Sequence, residues 1–258
     1  MNIAQAIIIA IIEGITEFLP ISSTGHMILT EALLRMGSSD FAKTYIVTIQ
    51  FGAIVSVIVL YWRRFVQSFR FYSLLGIGFL PAALIGFLFG GIIDQLLDNV
   101  VVVAIMLIIG GIVLVVCDQW FTTPRNDHIS WRTALYIGCF QCCAMIPGVS
   151  RSAATIIGGM VFGLSRKQAA EFSFLLAVPT MLAAAGYKIL KTPGGFSHHE
   201  IIMLIIGNIT ACLVAGIAIK GFIAYLSNHG FRHFGYYRIA LGGVILILML
   251  CGYDLRIV

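Results

Sequence analysis

The chain has 258 residues, of which 60% are hydrophobic and 10% charged, and its 16 Lys and Arg outnumber 11 Asp and Glu. A soluble domain carries about a quarter charged residues, so a mean hydropathy of +1.01 excludes a water-facing surface over most of the molecule. The basic residues are scattered between apolar runs, which excludes a nucleic-acid surface and leaves membrane orientation as their use.

The first apolar stretch, residues 2–19, carries Glu13 and Glu17 and no basic n-region, so no cleaved signal peptide is expected. It runs into Pro20 and the polar sequence Ile21-Ser22-Ser23-Thr24-Gly25-His26. Six segments approach the roughly 20 apolar residues that a spanning helix needs: 43–62, 71–93, 99–121, 168–190, 201–219 and a short last one, 237–252. Pro81 and Pro179 fall inside two of them, where neighbouring helices can satisfy the freed carbonyl. Between the third and fourth, residues 131–146 meet Pro147 and then Gly148-Val149-Ser150-Arg151-Ser152. Each side of the two breaks leaves about 10–15 helical residues, half a bilayer, which predicts two re-entrant helix pairs.

The expectation is an all-α integral membrane protein, one domain over 1–258, with six transmembrane helices and two re-entrant pairs. Pro20 and Pro147 lie 127 residues apart, and Leu19-Pro20-Ile21-Ser22-Ser23 aligns with Ile146-Pro147-Gly148-Val149-Ser150. One broken pair followed by three spans, twice over, predicts an inverted-topology repeat of 1–121 and 130–252. One side then collects Arg63, Arg64, Arg70, Arg125, Arg132, Arg166, Lys167, Lys220, Arg232 and Arg238; the other collects Arg35, Lys43, Lys188, Lys191 and Arg256. The excess predicts that the first side is cytoplasmic and that both termini face outward. The six cysteines lie in or beside apolar runs and read as small hydrophobes rather than a metal or redox pair.

Glu13 and Glu17 are four apart and share a helix face. Two carboxylates and a histidine in membrane-embedded sequence are costly and point to function. Ser22, Ser23, Thr24, Ser150 and Ser152 add hydroxyls around the breaks, and Arg151 opens the second half-helix as an anion site. These parts suit an anionic lipid substrate or an ion crossing the membrane, and the composition leaves both open.

The stretch from Glu13 to His26, Glu-Gly-Ile-Thr-Glu-Phe-Leu-Pro-Ile-Ser-Ser-Thr-Gly-His, closely resembles the first signature of the undecaprenyl-diphosphate phosphatases, the bacitracin-resistance family. Pro147-Gly148-Val149-Ser150-Arg151-Ser152 resembles its second signature, and Gly138–Cys142 and Glu171–Pro179 are also similar. The resemblance implies hydrolysis of undecaprenyl diphosphate to the monophosphate and inorganic phosphate, recycling the carrier lipid for cell-wall synthesis. It also implies a bacterial plasma membrane, a homodimer, and a divalent cation such as Mg²⁺, with Glu13 and Glu17 as metal residues. By position, Glu13, Glu17, His26 and Arg151 match residues held essential, and Ser23 matches the proposed nucleophile. The mechanism this implies has Ser23 or a water attacking phosphorus, with Glu17 and His26 exchanging protons. Arg151, Ser22, Thr24, Ser150 and Ser152 would bind substrate. The alternative is a transporter or flippase for an anionic or phosphorylated lipid, which would use the same opposed half-helices.

Overall fold

The computed structural model describes residues 1–36, 39–66, 68–97, 99–121, 128–191, 195–253 and 255, and among these every regular element is helical. In chain order they are α1 (Ile3–Thr16), α2 (Ser23–Leu33), α3 (Asp40–Leu60), α4 (Trp62–Phe65), α5 (Phe69–Leu97), α6 (Val100–Trp120), α7 (Trp131–Cys143), α8 (Arg151–Val161), α9 (Arg166–Lys191), α10 (His198–Leu226) and α11 (Arg232–Leu250). Six of them, α3, α5, α6, α9, α10 and α11, are long and apolar enough to cross a membrane, one for each expected span. The last is not short: it begins at Arg232 and runs for 19 residues.

Local chemistry sets the ends. Asn2 and Gln5 form a capping box that starts α1, and Ser197 and Glu200 form another that starts α10. Ser39 and Ser130 cap α3 and α7 by accepting the N–H of Ala42 and Thr133. Pro20 and Pro147 follow α1 and α7 within four residues and keep those helices from continuing, because proline offers no N–H and disfavours helical backbone in the residue before it.

The 14, 11, 13 and 11 residues of α1, α2, α7 and α8 give rods of about 16–21 Å, well short of a hydrocarbon core of about 30 Å. They form two helical hairpins. The start of α1 meets the end of α2, where Gln5 Nε2 donates to Leu34 O at 3.2 Å. The α7–α8 hairpin closes through Tyr136 stacked on Phe162 at 4.3 Å. The hairpins open toward opposite ends of the bundle. At one end Met1, Leu34 and Met36 join Phe41 and Met203, from the starts of α3 and α10. At the other, Asp118 of α6 pairs with Arg166 at the start of α9 (2.9 Å) and accepts the N–H groups of Phe231 and Arg232 at the start of α11.

Their tips meet in the middle. Spans α3 and α9 are the most enclosed and α5 the least. Phe18, just before the first break, packs edge-on against Phe174 of α9 at 5.4 Å, a pair worth about 0.5–1.5 kcal/mol beyond its burial. With lipid around them, the helices associate through close packing of small residues. A Cβ on Gly111 of α6 would sit 2.7 Å from Gly235 O of α11, and one on Gly138 of α7 would sit 2.3 Å from Gly78 O of α5.

The two breaks share one backbone turn, at the residue just before each second helix, although Gly148 has φ 90° where the first break has Pro20. Ser22 has φ 67°, ψ 105° and Ser150 has φ 74°, ψ 118°, a region that costs a non-glycine residue about 1–3 kcal/mol. These serines, 128 residues apart, align Ser23 with Arg151 as the first residues of α2 and α8. The register is therefore one residue off the proline-to-proline alignment.

One residue of the charge tally is misplaced. Arg238 is not a loop residue: it lies within α11 and is fully buried, because the helix starts at Arg232. Arg125, Arg256 and the side chains of Lys188 and Lys191 lie outside the described residues.

Candidate active site

The hairpin tips bring together Glu17, Ser23 and Arg151. Ser23 Oγ donates to Glu17 Oε2 at 2.9 Å, and Arg151 Nη2 donates to Glu17 Oε1 at 2.9 Å. The side chains of Arg151 and Glu17 are only 12% and 9% exposed, so the pair is poorly screened by water. Arg151 Nη1 donates to Ser173 O of α9 at 3.1 Å, and the guanidinium lies over the Phe18 ring at 5.3 Å. Its Nε is buried and has no hydrogen-bond partner. A hydroxyl on a carboxylate, with a guanidinium across that same carboxylate, is the arrangement of an activated nucleophile beside an anion clamp.

Around this core, Ser152 Oγ donates to Leu19 O at 2.7 Å and so ties the second tip to the first. Ser150 Oγ shares a hydrogen bond with Ser152 Oγ at 3.0 Å and caps α8 by accepting the Ala153 N–H. No side chain caps α2, so its first N–H groups stand free beside Ser23 as anion donors. Thr24 lies in that first turn and Ser22 just before it, buried.

Glu13 is buried with its carboxyl facing the side chains of Glu17 and Gln50, and Arg151 lies nearby, but no hydrogen bond of good geometry closes on either carboxyl oxygen. A buried carboxyl without a well-formed hydrogen bond, beside a second carboxylate, fits one contact to a hard cation. Among the described residues no three of His, Cys, Asp or Glu cluster to hold a metal alone, so phosphate oxygens and waters would have to complete its shell.

His26 lies one turn past Ser23 in α2, with both ring nitrogens engaged. Its Nδ1 lies 2.8 Å from Ser22 O and its Nε2 lies 2.7 Å from the Tyr237 hydroxyl. A carbonyl only accepts, so Nδ1 carries a proton, and Nε2 shares a hydrogen bond with the Tyr237 hydroxyl. No hydrogen bond among the described residues joins His26 to Ser23 or Glu17. The imidazole supports the strained Ser22 turn, one residue from the hydroxyl it was expected to serve.

Two residues that reach the breaks are not read as site residues from sequence: Tyr237, and Arg238, which counts there only as a loop charge. Arg238 Nη1 donates to Pro20 O and Val149 O, and Nη2 donates to Gly148 O and Met106 O. A charged residue past the first turn of an apolar helix was the available signal.

A sequence model of the bacitracin resistance protein BacA family matches residues 6–244. The chain is 51% identical to a Bdellovibrio bacteriovorus protein named undecaprenyl-diphosphatase, over 100% of both chains. It is 52% identical to one of that name from Flavobacterium johnsoniae over 96% of both, and 46% identical to one from Aquifex aeolicus over 92% of this chain and 95% of the relative. Glu17, Ser23 and Arg151 all fall inside the matched span, and by that match over nearly its whole length the chain belongs to the bacitracin resistance protein BacA family.

Proposed function

We propose that this protein is a membrane phosphatase that hydrolyses undecaprenyl diphosphate to undecaprenyl phosphate and inorganic phosphate, recycling a cell-wall carrier lipid and conferring bacitracin resistance. The observation that carries the reading is the hydroxyl of Ser23 bonded to Glu17, with Arg151 on the other carboxylate oxygen. A transporter needs an anion site but no polarised nucleophile, so this contact favours hydrolysis. Purified protein with lipid diphosphate should release inorganic phosphate; binding without release would leave the transporter.

In the mechanism, the diphosphate enters between the two tips. The free Arg151 Nε–H and the uncapped N–H groups of α2 hold its oxygens and stabilise the charge that builds up in transfer. Ser23 Oγ attacks the terminal phosphorus as Glu17 takes its proton. The bond from phosphorus to the bridging oxygen breaks, Glu17 passes its proton to the departing undecaprenyl phosphate, and that product leaves with Glu17 again a carboxylate. Water then attacks the phosphoserine, with Glu17 again accepting a proton and Ser23 recovering one as phosphate departs. Glu13, with Glu17, would hold a divalent cation such as Mg²⁺, which when bound would neutralise phosphate charge.

The hairpins are read as re-entrant and the halves as an inverted repeat. Half-bilayer helices and tips that meet from opposite ends of the bundle support this. The bacterial plasma membrane, outward termini and a homodimer belong to the same proposal. The remaining charge excess puts Arg63–Arg70 in the cytoplasm. In a cysteine-free background, an impermeant thiol reagent on intact cells should label Tyr253→Cys and spare Ser68→Cys. The reverse pattern overturns the orientation.

A further inference from the structure

An arginine inside an apolar span is costly unless its donors are met, and backbone carbonyls are among its usual partners. Arg238 meets four of them with its two terminal nitrogens, and its buried Nε–H is left without a partner. Nη1 donates to Pro20 O (3.2 Å) in the first break and Val149 O (3.0 Å) in the second. Nη2 donates to Gly148 O (2.8 Å) in the second break and Met106 O (3.2 Å) in α6. The three break carbonyls belong to backbone with no continuing helix to satisfy them. Gly110 makes the space, because a Cβ there would come 2.2 Å from Arg238 Nη2.

We infer that Arg238 is a positioning residue that sets the distance between the nucleophile and the anion clamp by fixing both hairpin tips to one rigid guanidinium plane. Pro20 is three residues before Ser23 and Val149 is two before Arg151; a single nitrogen, Nη1, holds both carbonyls. Arg238 makes no contact with Glu17, Ser23 or Arg151 among its hydrogen bonds, so it acts through the backbone. Neighbouring Tyr237 reinforces the effect by holding His26, which in turn holds Ser22 O. Lysine cannot substitute: an ammonium has three donors radiating from one atom, whereas the guanidinium spreads its donors over a plane. A role through charge alone would be kept by lysine, and that difference makes the inference testable.

The kinetic part rests on the phosphatase reading; the exchange part does not. Purified full-length wild type, Arg238→Lys and Gly110→Ala are compared by hydrogen–deuterium exchange and by steady-state hydrolysis of lipid diphosphate. Gly110→Ala is the second variant because it keeps arginine and its charge while displacing the guanidinium. Both variants should exchange faster, by about tenfold, in peptides covering 18–24 and 146–152, with α3 and α9 unchanged. Both should lose about 100-fold in kcat, the scale expected when reacting groups shift by about 1 Å, with KM within about threefold. Tips that exchange at the wild-type rate, or faster exchange throughout the spans, overturns the inference, as does wild-type kcat in Arg238→Lys. Wild-type protein that releases no phosphate rejects the phosphatase reading, and the exchange comparison still decides the role of Arg238.

Discussion

Ser23→Ala is expected to lower turnover by roughly 10³-fold or more while leaving substrate binding largely intact. The Ser23 hydroxyl is the one that Glu17 accepts, so its loss removes the attacking oxygen but none of the positive groups that hold the diphosphate. If Ser23 only positions a water, slow hydrolysis survives, because water can still attack between Glu17 and Arg151. Ser22→Ala is the control. The Ser22 contact with His26 runs through its carbonyl, so this variant should stay within about threefold of wild type. Solvent ¹⁸O enters phosphate by either route and separates nothing. Acid-quenched enzyme and terminally labelled substrate do: label on Ser23 establishes the covalent route, and full activity in Ser23→Ala rejects the assignment.

Arg151→Lys should lose roughly 10²–10³-fold in kcat/KM. Alanine is the less informative change, since removing the guanidinium strands Glu17 as a buried charge, at about 3–5 kcal/mol. Lysine keeps the charge, yet cannot reach Glu17 Oε1 and Ser173 O together while leaving a third N–H for the substrate. Near wild-type hydrolysis by Arg151→Lys would mean that the diphosphate is held elsewhere.

The spans were legible because each needs only a long apolar run, and Glu13 beside Glu17 was legible because four residues make a helical turn. The carboxylate–arginine pairing was legible as a possibility, since two polar breaks in apolar sequence have few partners except each other. What sequence could not convey was direction. Ser23 and His26 share a turn of α2, but the imidazole is drawn away by Tyr237, 211 residues further on. Arg238 reads as a loop charge because it falls at the very start of the last apolar run, 237–252. Only the start of α11 at Arg232 places it deep enough to reach the breaks.

The matched turns at Ser22 and Ser150 bear on stoichiometry. A shared turn at the start of each second half-helix would allow two equivalent centres, one per half. The side chains forbid it. In the 128-residue register set by the matched serines, Glu13, Glu17, Ser23 and His26 correspond to Gln141, Met145, Arg151 and Ala154. The second tip therefore has a cation where the first has a nucleophile, and neither carboxylate nor imidazole behind it. The halves are complementary rather than duplicate, and on the proposed mechanism each polypeptide would accept one phosphoryl group at a time.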